Sequence, residues 1–350
     1  MAFFAFSVWA FTALALGAPS GSHDAHAVNA KTSLTLLYQN NLNASDSGNH
    51  VGAILLDPMR QRDAREACQA IGESLLSRRT IDEHWDDFSH MFAYLSYSRV
   101  GGQHEKAYIS DGVISLGNSR ERTYSHSAGR DVELPVLCTQ TSTGDVGSSS
   151  NKEILVRSGG NSYIGYRDQK SFRFLGIPYA DAPERFEYAK LYSGHSDTIQ
   201  ATAYGPQCLQ GGGGSEDCLF LNIQTPYIPK SGNKKGLKPV LFWIYGGGFT
   251  GGSSSDPLTD GGNLASREDI VVVSFNYRLS TLGFFAVPGT DIKGNYGISD
   301  QVVALEVRVA CLFSIVADTD YCSGQSRTSP SLAVTLTASP LWVNLQALAL

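Results

Sequence analysis

The sequence predicts an α/β fold preceded by a small cysteine-containing α+β unit. Two continuous apolar runs carry the α/β part, Pro239–Tyr245 and Ile270–Tyr277. Neither alternates polar and apolar residues, so each reads as a strand covered on both faces of its sheet. A helix follows over Ser299–Glu306, with Ser299 as its N-cap. Further strand character lies at Leu155-Val156 and Phe172–Tyr179. The smaller unit spans about residues 30 to 140. Leu34–Tyr38 begins it as a strand. Asp63–Leu76 reads as a helix, because Ala64, Ala67, Cys68, Ile71 and Leu75 recur at i, i+3, i+4 spacing. Leu134–Cys138 closes the unit as a short apolar strand.

Composition bounds the function. Of 350 residues 42% are hydrophobic and 17% charged, against about 25% charged in a typical soluble domain. A sizeable core is therefore available. A net charge of −6 excludes the basic footprint of a nucleic-acid binder. The longest apolar run is at the N-terminus, which excludes a multi-span membrane protein. That run, Met1–Ala18, has an apolar centre and ends in the small residues Ala15, Gly17 and Ala18 before Pro19. It reads as a secretory signal peptide, with no basic residue ahead of it. A membrane anchor is the competing reading, and the stretch is short for a span. The layout is then a signal peptide at 1–18, an N-terminal unit at 19–140, a Ser/Gly/Thr-rich linker at 141–152, the α/β part at 153–306 and a tail at 307–350.

Secretion permits disulfides. The six cysteines are Cys68, Cys138, Cys208, Cys218, Cys311 and Cys322. None forms a C-x-x-C pair, so zinc ribbons and thioredoxin motifs are excluded, and no metal or cofactor is expected. Cys208 and Cys218 flank the Gly211–Gly214 run as a short disulfide loop would, and Cys68 with Cys138 would close the N-terminal unit. Asn43-Ala44-Ser45 is the one N-x-Ser/Thr sequon and a candidate glycan site.

Four motifs appear in order after the linker: Phe174-Leu175-Gly176-Ile177-Pro178-Tyr179-Ala180; Glu216-Asp217-Cys218-Leu219-Phe220-Leu221-Asn222; Trp243-Ile244-Tyr245-Gly246-Gly247-Gly248-Phe249; and Asn276-Tyr277-Arg278 leading to Gly294–Gln301. Together they resemble the N-terminal half of the type-B carboxylesterase/lipase family, the cholinesterase-like α/β-hydrolases, in the style of its fungal members. The resemblance implies an α/β-hydrolase-type central sheet, here incomplete. It implies that Gly247 and Gly248 donate backbone N–H groups to an oxyanion, since a Gly-rich turn after a strand leaves no Cβ to block a substrate. It also implies an ion pair between Glu216 and a buried Arg278. A dinucleotide or phosphate loop is excluded, because no G-x-G-x-x-G or G-x-x-x-x-G-K-[ST] follows a strand. A helix cysteine bridged to a last-strand cysteine faintly resembles a C-type-lectin-like domain; an extension without a binding role is the preferred reading of residues 19–140.

The catalytic triad of that family is missing. An α/β-hydrolase needs a G-x-S-x-G elbow, then an acid, then a His. The nearest string, Gly324-Gln325-Ser326-Arg327-Thr328, lacks the last Gly and puts Arg where a small residue is needed. All eight His, at 23, 26, 50, 84, 90, 104, 126 and 195, precede the elbow's place. Only His195 lies in the esterase region, and it reads as a surface loop residue. The family pattern stops after Glu306. With permitted codons, residues 327–347 read two bases out of frame give N-I-A-F-F-G-G-D-P-D-R-V-T-L-M-G-Q-S-A-G, which contains the elbow. Val307 can open with the GT of an intron donor, and Ser323 can contain its closing AG. The tail therefore reads as a retained intron followed by a frame shift. Cys311 and Cys322 fall inside it.

The expected parent is a secreted carboxylic-ester hydrolase acting on a small-molecule or lipid ester, without nucleic acid, metal or cofactor. The chain as written keeps the oxyanion loop and lacks the triad. The rival readings are a non-catalytic binding or adhesion member of the same fold and carbohydrate binding through the N-terminal unit.

Overall fold

The computed structural model describes residues 26–27, 32–43, 45–98, 105–116, 122–127, 129, 131–143, 152–158, 160–230 and 238–307. The segment expected to be a signal peptide, most of the expected linker, and the tail beyond Val307 with Cys311, Cys322 and Ser326 lie outside the described residues.

The strands in chain order are β1 (His26–Ala27), β2 (Leu34–Leu37), β3 (Ala53–Arg60), β4 (Lys106–Ile109), β5 (Gly112–Ser115), β6 (Tyr124–Ser125), β7 (Glu133–Thr139), β8 (Lys152–Ser158), β9 (Asn161–Arg167), β10 (Phe172–Pro178), β11 (Thr198–Gln200), β12 (Phe220–Thr225), β13 (Tyr227–Ile228), β14 (Val240–Trp243) and β15 (Val271–Phe275). The helices are α1 (Gln61–Ala70), α2 (Arg78–Glu83), α3 (Trp85–Ser98), α4 (Gly262–Glu268), α5 (Ser280–Phe284) and α6 (Tyr296–Glu306). The fold class is α/β, arranged as two sheets.

The first sheet runs β13-β2-β3-β7-β4-β5-β6. Successive residues of a strand point to opposite faces, and here both faces are apolar. Ala53, Leu55 and Leu137 face a core with Ile81, Phe88, Met91, Phe92 and Leu95. Ile54, Leu56, Val136 and Cys138 face a second core shared with Phe172, Phe174, Leu221 and Val273 of the α/β part. The first sheet is thus sandwiched between the α2–α3 helices and the second sheet.

Two details of α1 correct the sequence reading. The helix ends at Ala70, short of Leu76, because Gly72 takes a left-handed φ of 72°. There Gly72 N–H donates to Gln69 O, and Glu73 N–H to Cys68 O. Leu75 instead pairs with Cys138 in an isolated bridge. Cys68 and Cys138 are bonded, as are Cys208 and Cys218, at sequence separations of 70 and 10. By loop entropy the longer bridge contributes about 4 kcal/mol and the shorter about 3.

The second sheet runs β1-β8-β9-β10-β12-β15-β14, with β11 beside β9. It is antiparallel from β8 through to β15, and β14 adds parallel to β15. All five residues of β15 are buried, as its apolar run requires; the four of β14, outermost among the described strands, are each half-buried. Strand β9 has no continuous apolar run and was not legible. The last helix starts at Tyr296, three residues before the expected cap. Its N-cap is Asn295, at φ 58°, and Ser299 N–H donates to Asn295 O inside the first turn.

The two sheets exchange edge strands. Strand β1 pairs with β8 of the second sheet, and β13 pairs with β2 of the first. Glu73, just after α1, meets Arg167 of β9 where both side chains are fully buried. Thr139 and Thr141 hydroxyls donate to the same carboxylate. Burial pulls the Arg167 guanidinium down to about 10 against the pull of Glu73.

Candidate functional site

Three of the four motifs meet around one polar network on β10, β12 and the end of β15. Gly176 interrupts β10 at a bulge, with φ 71°, and its N–H donates to Asn222 Oδ1 at 2.9 Å. A Cβ there would lie 2.4 Å from Ala203 O, so the motif's glycine is required. Asn222 Nδ2 donates to Ser254 Oγ and Ser274 Oγ at 3.0 and 3.2 Å. Ser254 donates through N–H and Oγ to Asn276 Oδ1, each at 2.9 Å. Asn276 Nδ2 donates to Pro206 O, and the buried Tyr179 hydroxyl donates to Asn276 O. Buried amide groups of this kind persist only when fully paired.

Above the network, Tyr245 and Tyr277 stack with centroids 4.5 Å apart. Each hydroxyl donates to the other residue's carbonyl, at 3.0 and 2.9 Å. Burial raises the Tyr245 hydroxyl well above its usual range, so it remains a donor. This clasp ties the ends of β14 and β15 together where the glycines begin. Gly247 and Gly248 have φ of 130° and 61°, and a Cβ on Gly247 would stand 2.0 Å from Gly251 O. Both glycines are exposed, and neither N–H donates to a protein acceptor among the described residues. Two adjacent unspent backbone donors are what an anion-stabilising loop requires.

The expected Glu216–Arg278 ion pair does not form. Arg278 is buried and paired with Asp300 of α6: Nε donates to Oδ2 at 2.8 Å, Nη2 to Oδ1 at 2.7 Å, and its backbone N–H to Oδ2 at 3.0 Å. Its remaining amine donates to Glu187 O. Glu216 pairs with Arg185 through a fork of hydrogen bonds at 2.6–3.0 Å, well exposed to solvent. The reason is geometric. Asp300 is fully buried one turn into α6, where an unpaired Arg278 would be costly, whereas Glu216 sits on a loop that solvent can satisfy. Glu216 and Arg278 still line one cavity with Cys208 and Cys218.

A second buried pair was missed from the sequence. Arg173 of β10 binds Asp260 in a fork at 2.6 and 2.7 Å and also meets Asp168. Burial opposes ionisation of Asp260, but Arg173 outweighs it and holds the carboxyl below its usual range. At acid pH the unfolded chain therefore takes up a proton that the folded chain still refuses, and stability falls as pH drops below about 4. Asp260→Asn should be less stable at pH 7 and should show a shallower loss of stability between about pH 5 and pH 2. Urea melts across that range check this; an unchanged slope would refute the assignment. His195 is exposed, as its loop position implies.

Residues 158–307 match the carboxylesterase family. Relatives include lipases, cholinesterases and an esterase. Bile salt-activated lipase of Bos taurus is 39% identical over 144 residues, covering 38% of this chain and 24% of its own. Cholinesterase of Mus musculus is 43% identical over 154 residues, covering 38% and 25%. Fumonisin B1 esterase of Sphingopyxis macrogoltabida is 39% identical over 151 residues, covering 38% and 27%. The chain thus spans about a quarter of the length of these relatives. Among solved structures, a carboxylesterase of Geobacillus stearothermophilus is 36% identical, over 47% of this chain and 36% of that one, with a TM-score of 0.42.

Proposed function

We propose that this chain carries the N-terminal part of a secreted carboxylic-ester hydrolase of the type-B family, in the style of its fungal members. The Gly247 and Gly248 amides stabilise the tetrahedral oxyanion, and a Ser-His-Asp/Glu triad in the frame-restored parent forms and breaks the acyl-enzyme. The observation that carries the reading is the pair of adjacent glycine N–H groups, without a protein acceptor among the described residues, presented by four interlocked motifs. The chain as written has no elbow serine and is inactive. Sequencing the transcript across codons 306–324 tests the frame shift, and an unspliced 307–323 segment in every mature transcript would refute it. Should the restored frame lack an acid and a His downstream of the serine, the non-catalytic binding reading takes its place.

Two disulfides support an oxidising compartment. Among the described residues no helix is long and apolar enough to cross a membrane. Asn43 supports glycosylation: it is exposed, and Ser45 Oγ donates to its Oδ1 at 2.7 Å, so the sequon's hydroxyl already addresses the acceptor amide. Material secreted from a eukaryotic host should lose mass on peptide-N-glycosidase treatment, and Asn43→Gln should not. An unshifted wild-type band would refute the site.

A further inference from the structure

Gln210 lies inside the loop closed by Cys208–Cys218, far in sequence from the glycine turn. Its side-chain amide nevertheless pairs reciprocally with one residue of that turn. Nε2 donates to Gly252 O at 3.0 Å, and Gly252 N–H donates to Oε1 at 3.0 Å. The second Nε2 hydrogen goes to Cys208 O at 3.1 Å. The backbone of Gln210 is fixed as well, because it exchanges both hydrogen bonds with Gly213. Gln210 therefore offers Gly252 the equivalent of a strand partner, mounted on a bridged loop.

The place it grips matters. A Cβ on Gly252 would lie 2.5 Å from Gly246 O, and one on Gly247 would lie 2.0 Å from Gly251 O. The outgoing limb, Gly246–Gly247, therefore rests directly on the returning limb, Gly251–Gly252. Between them the turn is held by Thr250 N–H to Gly247 O at 3.2 Å and by Ser280 N–H to Phe249 O at 2.7 Å. Moving Gly252 moves the support under Gly247.

We propose that Gln210 is the positioning residue of the Gly247–Gly248 turn, holding its two free N–H groups at a fixed angle from the disulfide loop. The proposal rests on the oxyanion assignment only for its functional meaning; the clamp itself is testable without catalysis. Gln210→Met keeps the length and apolar stem of the side chain and removes both hydrogen bonds to Gly252. Residue-resolved amide exchange on the full 350-residue chain should show Thr250 and Ser280 N–H exchanging about tenfold faster, although the acceptors of both are Gly247 O and Phe249 O rather than Gln210. Amides of β3 and β7 should be unchanged. Gln210→Glu keeps the acceptor for Gly252 N–H and should give a smaller acceleration. Unchanged rates at Thr250 and Ser280 would overturn the proposal, and so would equal acceleration throughout the chain, which marks a general stability residue. In the frame-restored enzyme, Gln210→Met should lower kcat about tenfold or more with KM within about twofold, since the donors act on the transition state. A frame-restored chain that is inactive even with Gln210 would refute the hydrolase reading and leave the exchange result standing.

Discussion

Removing the intron-like segment, from the first base of codon 307 into codon 323, and reading on to the natural stop should yield an esterase from a chain expected to be inactive. The 350-residue chain should hydrolyse p-nitrophenyl esters no faster than a heat-denatured control. Its glycine N–H groups could alone sustain about 10³–10⁴ over water, but only in an assembled pocket, and the third donor is the N–H after the missing serine. Restoring the elbow supplies the nucleophile and the third donor, and the base is expected from the restored frame further downstream. Triad members act as a unit, and loss of the nucleophile costs about 10⁶ in kcat. Ser→Ala at the recovered elbow should therefore return the restored chain to background. Organophosphate labelling of the uncorrected chain at Ser326 would show a working variant elbow and sink the frame-shift account.

Glu73→Ala should cost about 3–5 kcal/mol, because it strands the Arg167 guanidinium without a counter-charge in a fully buried site. The cost should fall on the whole molecule, since Glu73 belongs to the N-terminal unit and Arg167 to β9 of the other sheet. Replacing both, as Glu73→Leu with Arg167→Met, should recover most of the loss, because an apolar pair of similar volume leaves no charge to desolvate. Urea denaturation followed by tryptophan fluorescence checks both variants. A single variant within about 1 kcal/mol of wild type would show that water reaches the guanidinium.

What could be seen in the sequence, and what could not, divides along physical lines. The run Val271–Phe275 announced a buried strand, because a strand covered on both faces has no polar residue to spare. The short spacing of Cys208 and Cys218 announced its own bridge. The glycines at 247 and 248 were visible because positive φ and close backbone approach demand that residue type. The partner of Arg278 was not, since a charge chooses among carboxylates by depth, and depth is not written in spacing. Asp300 stands within the fourth motif, but nothing in its spacing ranks it above Glu216. The end of α1 was misplaced because the apolar period continues through Ile71 and Leu75 while Gly72 turns the backbone away. The linking role of Glu73 had no local signal at all: it is one carboxylate after a helix, and its meaning comes from β9.

The exchange of edge strands between the sheets has a consequence in time. During synthesis, β2 emerges long before β13, its neighbour on the outer side of the first sheet. At about 5–20 residues per second, that edge stays open on the ribosome for on the order of ten seconds or more. Throughout that interval the nascent chain offers a row of unsatisfied amides and carbonyls to any passing strand. The N-terminal unit must therefore be sheltered until the later part of the chain arrives to finish it. A fragment severed before Tyr227 keeps that raw edge permanently, however well its own disulfide has formed.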